Sequence, residues 1–150
     1  MVSSQSSNLS TNNNPPQFKE FRRSITEILS DFAKPIPARL ISKKPVFSRK
    51  DGKLTKTGEV SYISWTNYIK LLDYYAPGFD WQIRTHFNHQ TIVVEGKLTI
   101  KAKEGDFIRE ATGYEEIGND GYGNAVNNAE ASALRRCCAK FQLALDFWNK

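Results

Sequence analysis

The side chains in this chain best suited to chemistry are cations, and they are clustered. Arg135 and Arg136 are adjacent, with Lys140 four residues beyond the second. A guanidinium offers a planar fork that donates two hydrogen bonds to a phosphate, and an ammonium adds a mobile point charge. Adjacent helical residues point about 100° apart, so both arginines line one groove only where the helix borders it obliquely. A second set spans residues 38–56, where Arg39, Lys43, Lys44, Arg49, Lys50, Lys53 and Lys56 face Asp51 alone, seven charges against one for a net +6. The whole chain carries +5, so the remainder nets −1. The opposing charge sits in residues 104–120, where Glu104, Asp106, Glu110, Glu115, Glu116 and Asp120 face Arg109, six against one for a local −5. Clustered positive charge beside a polyanion releases counterions and binds phosphate backbones whatever the base sequence. A Lys-rich loop alone reads equally as a solvated surface; in company with the paired arginines it reads as a binding surface.

No catalytic set accompanies these cations. His86 and His89 are the two histidines; they fall in or beside a hairpin turn, form no HExxH pair, and read as exposed strand and turn residues. The GxSxG, Walker and zinc-ribbon spacings are missing. The Gly-rich stretch from Gly118 to Gly123 could cradle a phosphate at a helix N-terminus, yet it lacks the spacing and the lysine of a nucleotide loop and reads as a tight turn. Cys137 and Cys138 are vicinal, a poor geometry for a disulfide and no zinc pattern, so they read as small apolar residues in a reducing compartment. No catalytic residue, metal ligand or cofactor is assigned.

The elements that must position the cations follow from periodicity. Phe18, Phe21, Ile25, Ile28, Leu29 and Phe32 recur at three- and four-residue steps, which predicts a short helix ended by Pro35 and Pro37. A strand through Leu40 and Ile41 is expected next, then a basic loop turning at Asp51-Gly52. Ser61 is placed as the cap of a second helix, stopped by Pro77-Gly78, and Trp65, Tyr68 and Trp81 are assigned to the core. Alternation over Trp81–Phe87 and Ile92–Lys101 predicts two strands, and a third runs from about Phe107 to Tyr114. The longest helix is expected from about Asn124 to Phe147. Val126, Ala129, Ala133, Cys137, Phe141, Ala144 and Trp148 would face the sheet; Asn128, Ser132, Arg136 and Lys140 form the opposite row. The fold class is α+β: a β-β-β-α core, its antiparallel sheet packed on the long C-terminal helix, preceded by a short helix, a basic loop or strand and a second helix. Residues 18–150 suit one domain, whereas residues 1–17 carry no charge and little bulk and read as a disordered tail. Neither a secretory signal nor about 20 consecutive apolar residues occurs, so a soluble cytoplasmic protein with no membrane partner is expected.

The motifs SYISWTNYIKLL, Gly78-Phe79-x-Trp81, EGDFIREATGYEE and NAVNNAEASALRRCCAKFQLAL occur in an order and spacing that resembles the Rad fifty-two superfamily of single-strand annealing proteins. The resemblance covers about residues 20–148 and points above all to bacterial DdrA-like members, more distantly to mitochondrial Mgm-type annealers. It implies ATP-independent binding of single-stranded DNA and annealing of complementary strands in DNA repair and homologous recombination, in a bacterial, nucleoid-associated setting. It also implies a ring-shaped homo-oligomer with DNA in an outer basic groove, working with other recombination or replication proteins. The family's paired basic positions fall on Arg135 and Arg136. A further basic position falls on Ala139, with Lys140 one step along, and the basic residue after the first helix falls at Lys43 or Arg39. The nucleic-acid-binding set is therefore Arg135, Arg136, Lys140, Lys43, Arg39 and Lys44. The segment PVFSRKDGKLTKTGEV departs from the eukaryotic pattern and would enlarge the groove or, through its charge, meet the −5 stretch of a neighbouring subunit. Two alternatives stand beside this reading: an RNA-binding or regulatory module, and a metal-dependent nuclease using Glu110, Glu115 and Glu116 with a histidine.

Overall fold

The computed structural model describes residues 22–118 and 122–148. The tail expected over residues 1–17, and Phe18 and Phe21 of the first helix, lie outside the described residues. In chain order come α1 (Ile25–Phe32), a 3-10 turn (Ala38–Leu40), β1 (Ser42–Lys50), β2 (Lys53–Tyr62), α2 (Trp65–Tyr75), β3 (Asp80–Asn88), β4 (Thr91–Ala102), β5 (Gly105–Glu116), α3 (Tyr122–Lys140) and a closing 3-10 turn (Leu145–Trp148). The strands make two antiparallel sheets, β1-β2 and β3-β4-β5. This is the α+β class that the periodicities predict, with the β-β-β-α order intact.

The core forms between the three-stranded sheet and the helices. Ile92, Val94, Leu98, Ile100 and Ala102 of the central strand are buried on one face, as strict alternation requires. Ile92 and Val94 meet Ala125, Ala129 and Ala133 of α3; Leu98 and Ile100 join a larger cluster with Leu134, Cys137, Phe141, Leu72 of α2 and Phe32 of α1. The approach of α3 to β5 is close because both sides are small. A Cβ on Gly113 would lie 2.1 Å from the Ala129 carbonyl oxygen and 2.7 Å from the Ala133 nitrogen. Backbone therefore lies on backbone at this point.

The chain entering α1 is stitched to the β4–β5 turn. The Lys103 N–H donates to the Arg23 carbonyl at 2.9 Å, the Ile25 N–H donates to Glu104 Oε2 at 2.8 Å, and Arg22 lies 3.7 Å from Asp106. Two carboxylates of the acidic stretch are thus engaged within the chain itself. Arg23 also donates to the Tyr75 carbonyl at 3.0 Å and pairs with Asp31, which ties α1 to the end of α2.

Four local expectations are corrected. The strand through Leu40 and Ile41 and the basic loop after it are instead a 3-10 turn followed by the β1–β2 hairpin, paired from Ser42↔Tyr62 to Lys50↔Lys53 with one register shift between Val46 and Phe47. Residues 43–60 are all exposed, so no alternation of burial marks these strands. Asp51 and Gly52 close the hairpin with φ of 53° and 78°, the positive pair that a two-residue hairpin turn of matching twist requires. The cap of α2 is Ser64, whose Oγ accepts from the Asn67 N–H at 3.4 Å; Ser61 belongs to β2. The last helix stops at Lys140 rather than near Phe147, because Gln142 takes the left-handed conformation (φ 74°). Its N–H bonds to the Ala139 carbonyl at 2.8 Å, and the Leu143 N–H bonds to Cys138 at 3.0 Å, the paired pattern of a Schellman cap. Trp148 accordingly leaves the sheet-facing row and is 47% exposed. Finally, Trp65 is not a core residue: as the first residue of α2 it is 56% exposed, while Tyr68 is buried and Trp81 is half-buried. Among the described residues no helix is long and apolar enough to cross a membrane.

Two substitutions test this packing. Gly113→Ala forces α3 off β5 and is expected to cost on the order of 2 kcal/mol, read as a lower urea midpoint. Gln142→Gly removes the left-handed strain at an exposed site and is expected to raise stability by up to about 1 kcal/mol in the same measurement.

Candidate nucleic-acid interface

β5 is an edge strand, and the outward carbonyls of an edge strand lack a ladder partner. Three of them, two residues apart, are taken by cations. Arg109 Nη1 donates to the Ile108 carbonyl at 3.0 Å, Lys140 Nζ to the Glu110 carbonyl at 2.5 Å, and Arg136 Nη1 to the Thr112 carbonyl at 2.8 Å. Every second carbonyl along a strand is about 6.8 Å further on, so the three exposed cations form a row along the sheet edge. Arg136 and Lys140 reach it from successive turns of α3. Arg109 comes from β5, with its guanidinium carbon 5.2 Å from the centre of the Phe141 ring. One donor of each arginine is used, and the others remain available to a ligand.

Arg136 and Lys140 also wall a groove of about 490 Å³ lined further by Gln82, Arg84, Glu95, Lys97, Glu110 and Thr112. The register explains this company. Gln82, Lys97 and Glu110 are directly paired across the sheet, and so are Arg84, Glu95 and Thr112. Four cations against two carboxylates leave the groove net positive. Glu95 lies 3.2 Å from His86 Nε2, so a protonated His86 would offset one of those acids.

The expected binding residues separate into two groups. Arg136 and Lys140 belong to the edge row. Arg135 does not line the groove; it is half-buried about 100° round the helix, where its charge acts on the hydroxyl of Tyr68 in α2. Burial is the larger influence on that phenol and pushes its pKa up. Arg39 lies in the 3-10 turn, tied to α2 through the Asn67 side-chain amide, which donates to the Leu40 carbonyl at 3.2 Å. Lys43 and Lys44 are exposed at the root of the hairpin, with Lys44 Nζ 5.5 Å from the centre of the Tyr62 ring. Arg109 and Arg84 were not singled out by sequence, whereas the lysine-bearing face of β4, with Lys97, is among the basic features the sequence shows. Arg84 and Lys97 did alternate onto the solvent side of their strands, but only the strand register brings them to Arg136.

Among the described residues no three His, Cys, Asp or Glu side chains converge as a metal site would require, and Glu110, Glu115 and Glu116 form no such group with a histidine. Cys137 and Cys138 are buried and free. Burial pushes the Cys137 thiol up to about 11 and raises Cys138 well above its ordinary value, the opposite of what a thiolate nucleophile needs. A raised folded-state pKa contributes stability that is fully present below the unfolded value of about 8.5 and is lost as pH rises through the folded one. The urea midpoint is therefore expected to fall between about pH 9 and pH 11, and to fall less in a Cys137→Ala/Cys138→Ala variant. Iodoacetamide at neutral pH is expected to leave both thiols unmodified in the folded protein, as read by mass spectrometry.

Fold and interface together define an α+β domain with a cationic sheet edge and a basic two-stranded ribbon. No family profile matches the chain. It is 29% identical over 131 residues to "DNA repair RAD52-like protein 1, mitochondrial" of Arabidopsis thaliana, covering 85% of this chain and 69% of that protein. It is also 29% identical over 130 residues to "DNA repair RAD52-like protein 2, chloroplastic" of the same plant, covering 85% of this chain and 62% of that one. The chain thus spans less than two thirds of the second relative's length. These similarities support the Rad fifty-two superfamily, the resemblance carried by the sequence motifs. Both relatives are plant organellar proteins, and neither bears on a nearer likeness to bacterial DdrA-like members.

Proposed function

We propose that this chain binds single-stranded DNA and anneals complementary strands without a nucleotide cofactor, in DNA repair and homologous recombination. The observation that carries the reading is the row Arg109, Lys140 and Arg136 along the β5 edge, opening into the groove with Arg84 and Lys97. The similarity to two RAD52-like DNA repair proteins supports the same reading. Contacts to phosphate carry no base information. A strand held by its phosphates keeps its bases free to test a second strand, which is what a general annealer requires. Arg39 and Arg135 supply further cations beside α2, and Lys43 and Lys44 supply others at the root of the hairpin. The work is binding and alignment rather than bond-making. Copies of the chain assemble head to tail into a ring, other recombination or replication proteins are its partners, and the setting is cytoplasmic and nucleoid-associated.

The test is fluorescence anisotropy on a labelled thymidine 30-mer across a salt series, beside a protein-only annealing assay and particle imaging. Binding is expected to weaken with a log–log slope of about −0.7 per phosphate contacted. Arg136→Ala/Lys140→Ala is expected to flatten that slope by about 1.4, corresponding to two lost contacts, and to slow annealing. An unchanged slope in this variant would remove the edge row from the binding site. Tighter binding to RNA of the same base sequence would favour the RNA-binding alternative, since RNA readers use the 2′-hydroxyl.

A further inference from the structure

The β1–β2 hairpin displays more than phosphate binding uses. Residues 43–60 are exposed without interruption, and none of them belongs to either hydrophobic cluster, so the ribbon stands away from the body. A two-stranded ribbon is marginal by itself in water, yet this one leaves Phe47 51% and Leu54 66% exposed near its tip. The register sets Phe47 opposite Lys56 and Arg49 opposite Leu54. Phe47 and Arg49 share one face of β1, because side chains two apart along a strand do. That face is a checkerboard in which each cross-strand pair joins one apolar group to one cation. A bulge between Val46 and Phe47 increases the local twist and re-aims this end of the ribbon. The closing turn at Asp51 and Gly52 holds the tip in its shape before any ligand arrives.

We propose that this face of the hairpin tip is a base-contacting platform for single-stranded nucleic acid. Phe47 and Leu54 lie against bases, and Arg49 and Lys56 hold the flanking phosphates. The inference rests on the nucleic-acid reading above and adds base contacts to a site otherwise built for phosphate. Charge decides the occupant. Residues 47–56 carry Arg49, Lys50, Lys53 and Lys56 against Asp51, so a polyanion is attracted, whereas the same face of a second copy is repelled. Lys56 spends its charge on an exposed carboxylate, Glu59, at 3.3 Å, a partner that a phosphate can replace. An exposed ring accepts any base on its π-face, so the platform tolerates every sequence, as an annealer must.

The experiment compares the full chain with Phe47→Ala/Leu54→Ala and with the milder Phe47→Leu. The probes are a thymidine 30-mer and an abasic oligonucleotide of equal length and charge. The wild type is expected to prefer the thymidine strand. The double variant is expected to lose about fivefold to a hundredfold in affinity for it while keeping the salt slope and the abasic affinity, with Phe47→Leu in between. Unchanged urea midpoints confirm that the variants fold. Equal binding of the thymidine strand by wild type and double variant overturns the platform but leaves the nucleic-acid reading standing. Failure of the wild type to bind either oligonucleotide overturns both. A double variant that sediments as a smaller species with unchanged affinity assigns the hairpin to a contact between copies and overturns the platform.

Discussion

The contact on which the rest of this structure depends is the seating of α3 on β5, where Gly113 meets the backbone of Ala129 and Ala133. No side chain separates the two elements there, and the row Ala125, Ala129, Ala133 keeps the helix low along the sheet. The height of the helix decides where its other faces emerge. Because the axis lies so close to the edge strand, Arg136 and Lys140 come out level with the β5 carbonyls instead of projecting over them. The small core residues set the approach distance, and the position of the exposed charges follows from it. That approach also leaves β3 less well covered, with Ile83 39% exposed.

Cations along the β5 edge satisfy two requirements together. An edge strand with unpaired acceptors invites another strand, and charged groups laid across it discourage that pairing. Those groups stay exposed and charged, since a carbonyl partner does not neutralise them as a carboxylate would. Carbonyl bonds hold them in a fixed row, which would reduce the freedom lost on binding the phosphates proposed above. Acidic residues, by contrast, are largely turned to internal use. Glu104 and Asp106 hold the entry to α1, and Glu95 pairs with His86.

Much of this architecture is legible in the residue pattern. Alternation along β3 and β4 marks one buried and one open face, and the small-residue row of the last helix marks close packing. The charge map points to a polyanion. Three failures share a cause, namely that the deciding information is not periodic. The hairpin is invisible because neither of its faces is buried, so its strands show no alternation. The end of α3 is hidden because Gln142, and not a glycine, adopts the left-handed cap. Ser61 and Ser64 are equally good caps by type, and only the end of β2 decides between them.

By itself, then, the sequence determined the class of fold, the sheet-facing row of the last helix as far as Phe141, and where its charge is concentrated. These are local properties: a period, a residue size, a sum of charges. Only the tertiary structure decided which cations lie together. Arg135 and Arg136 are neighbours in the chain yet border different surfaces, because a helix turns about 100° between them. Lys140, Arg136, Arg84 and Lys97 come from three elements and meet in one groove through strand register and the height of one helix above one glycine, and Arg109 of β5 extends their row along the sheet edge. Convergence of this kind depends on contacts between residues far apart in the chain, and no window of sequence contains them.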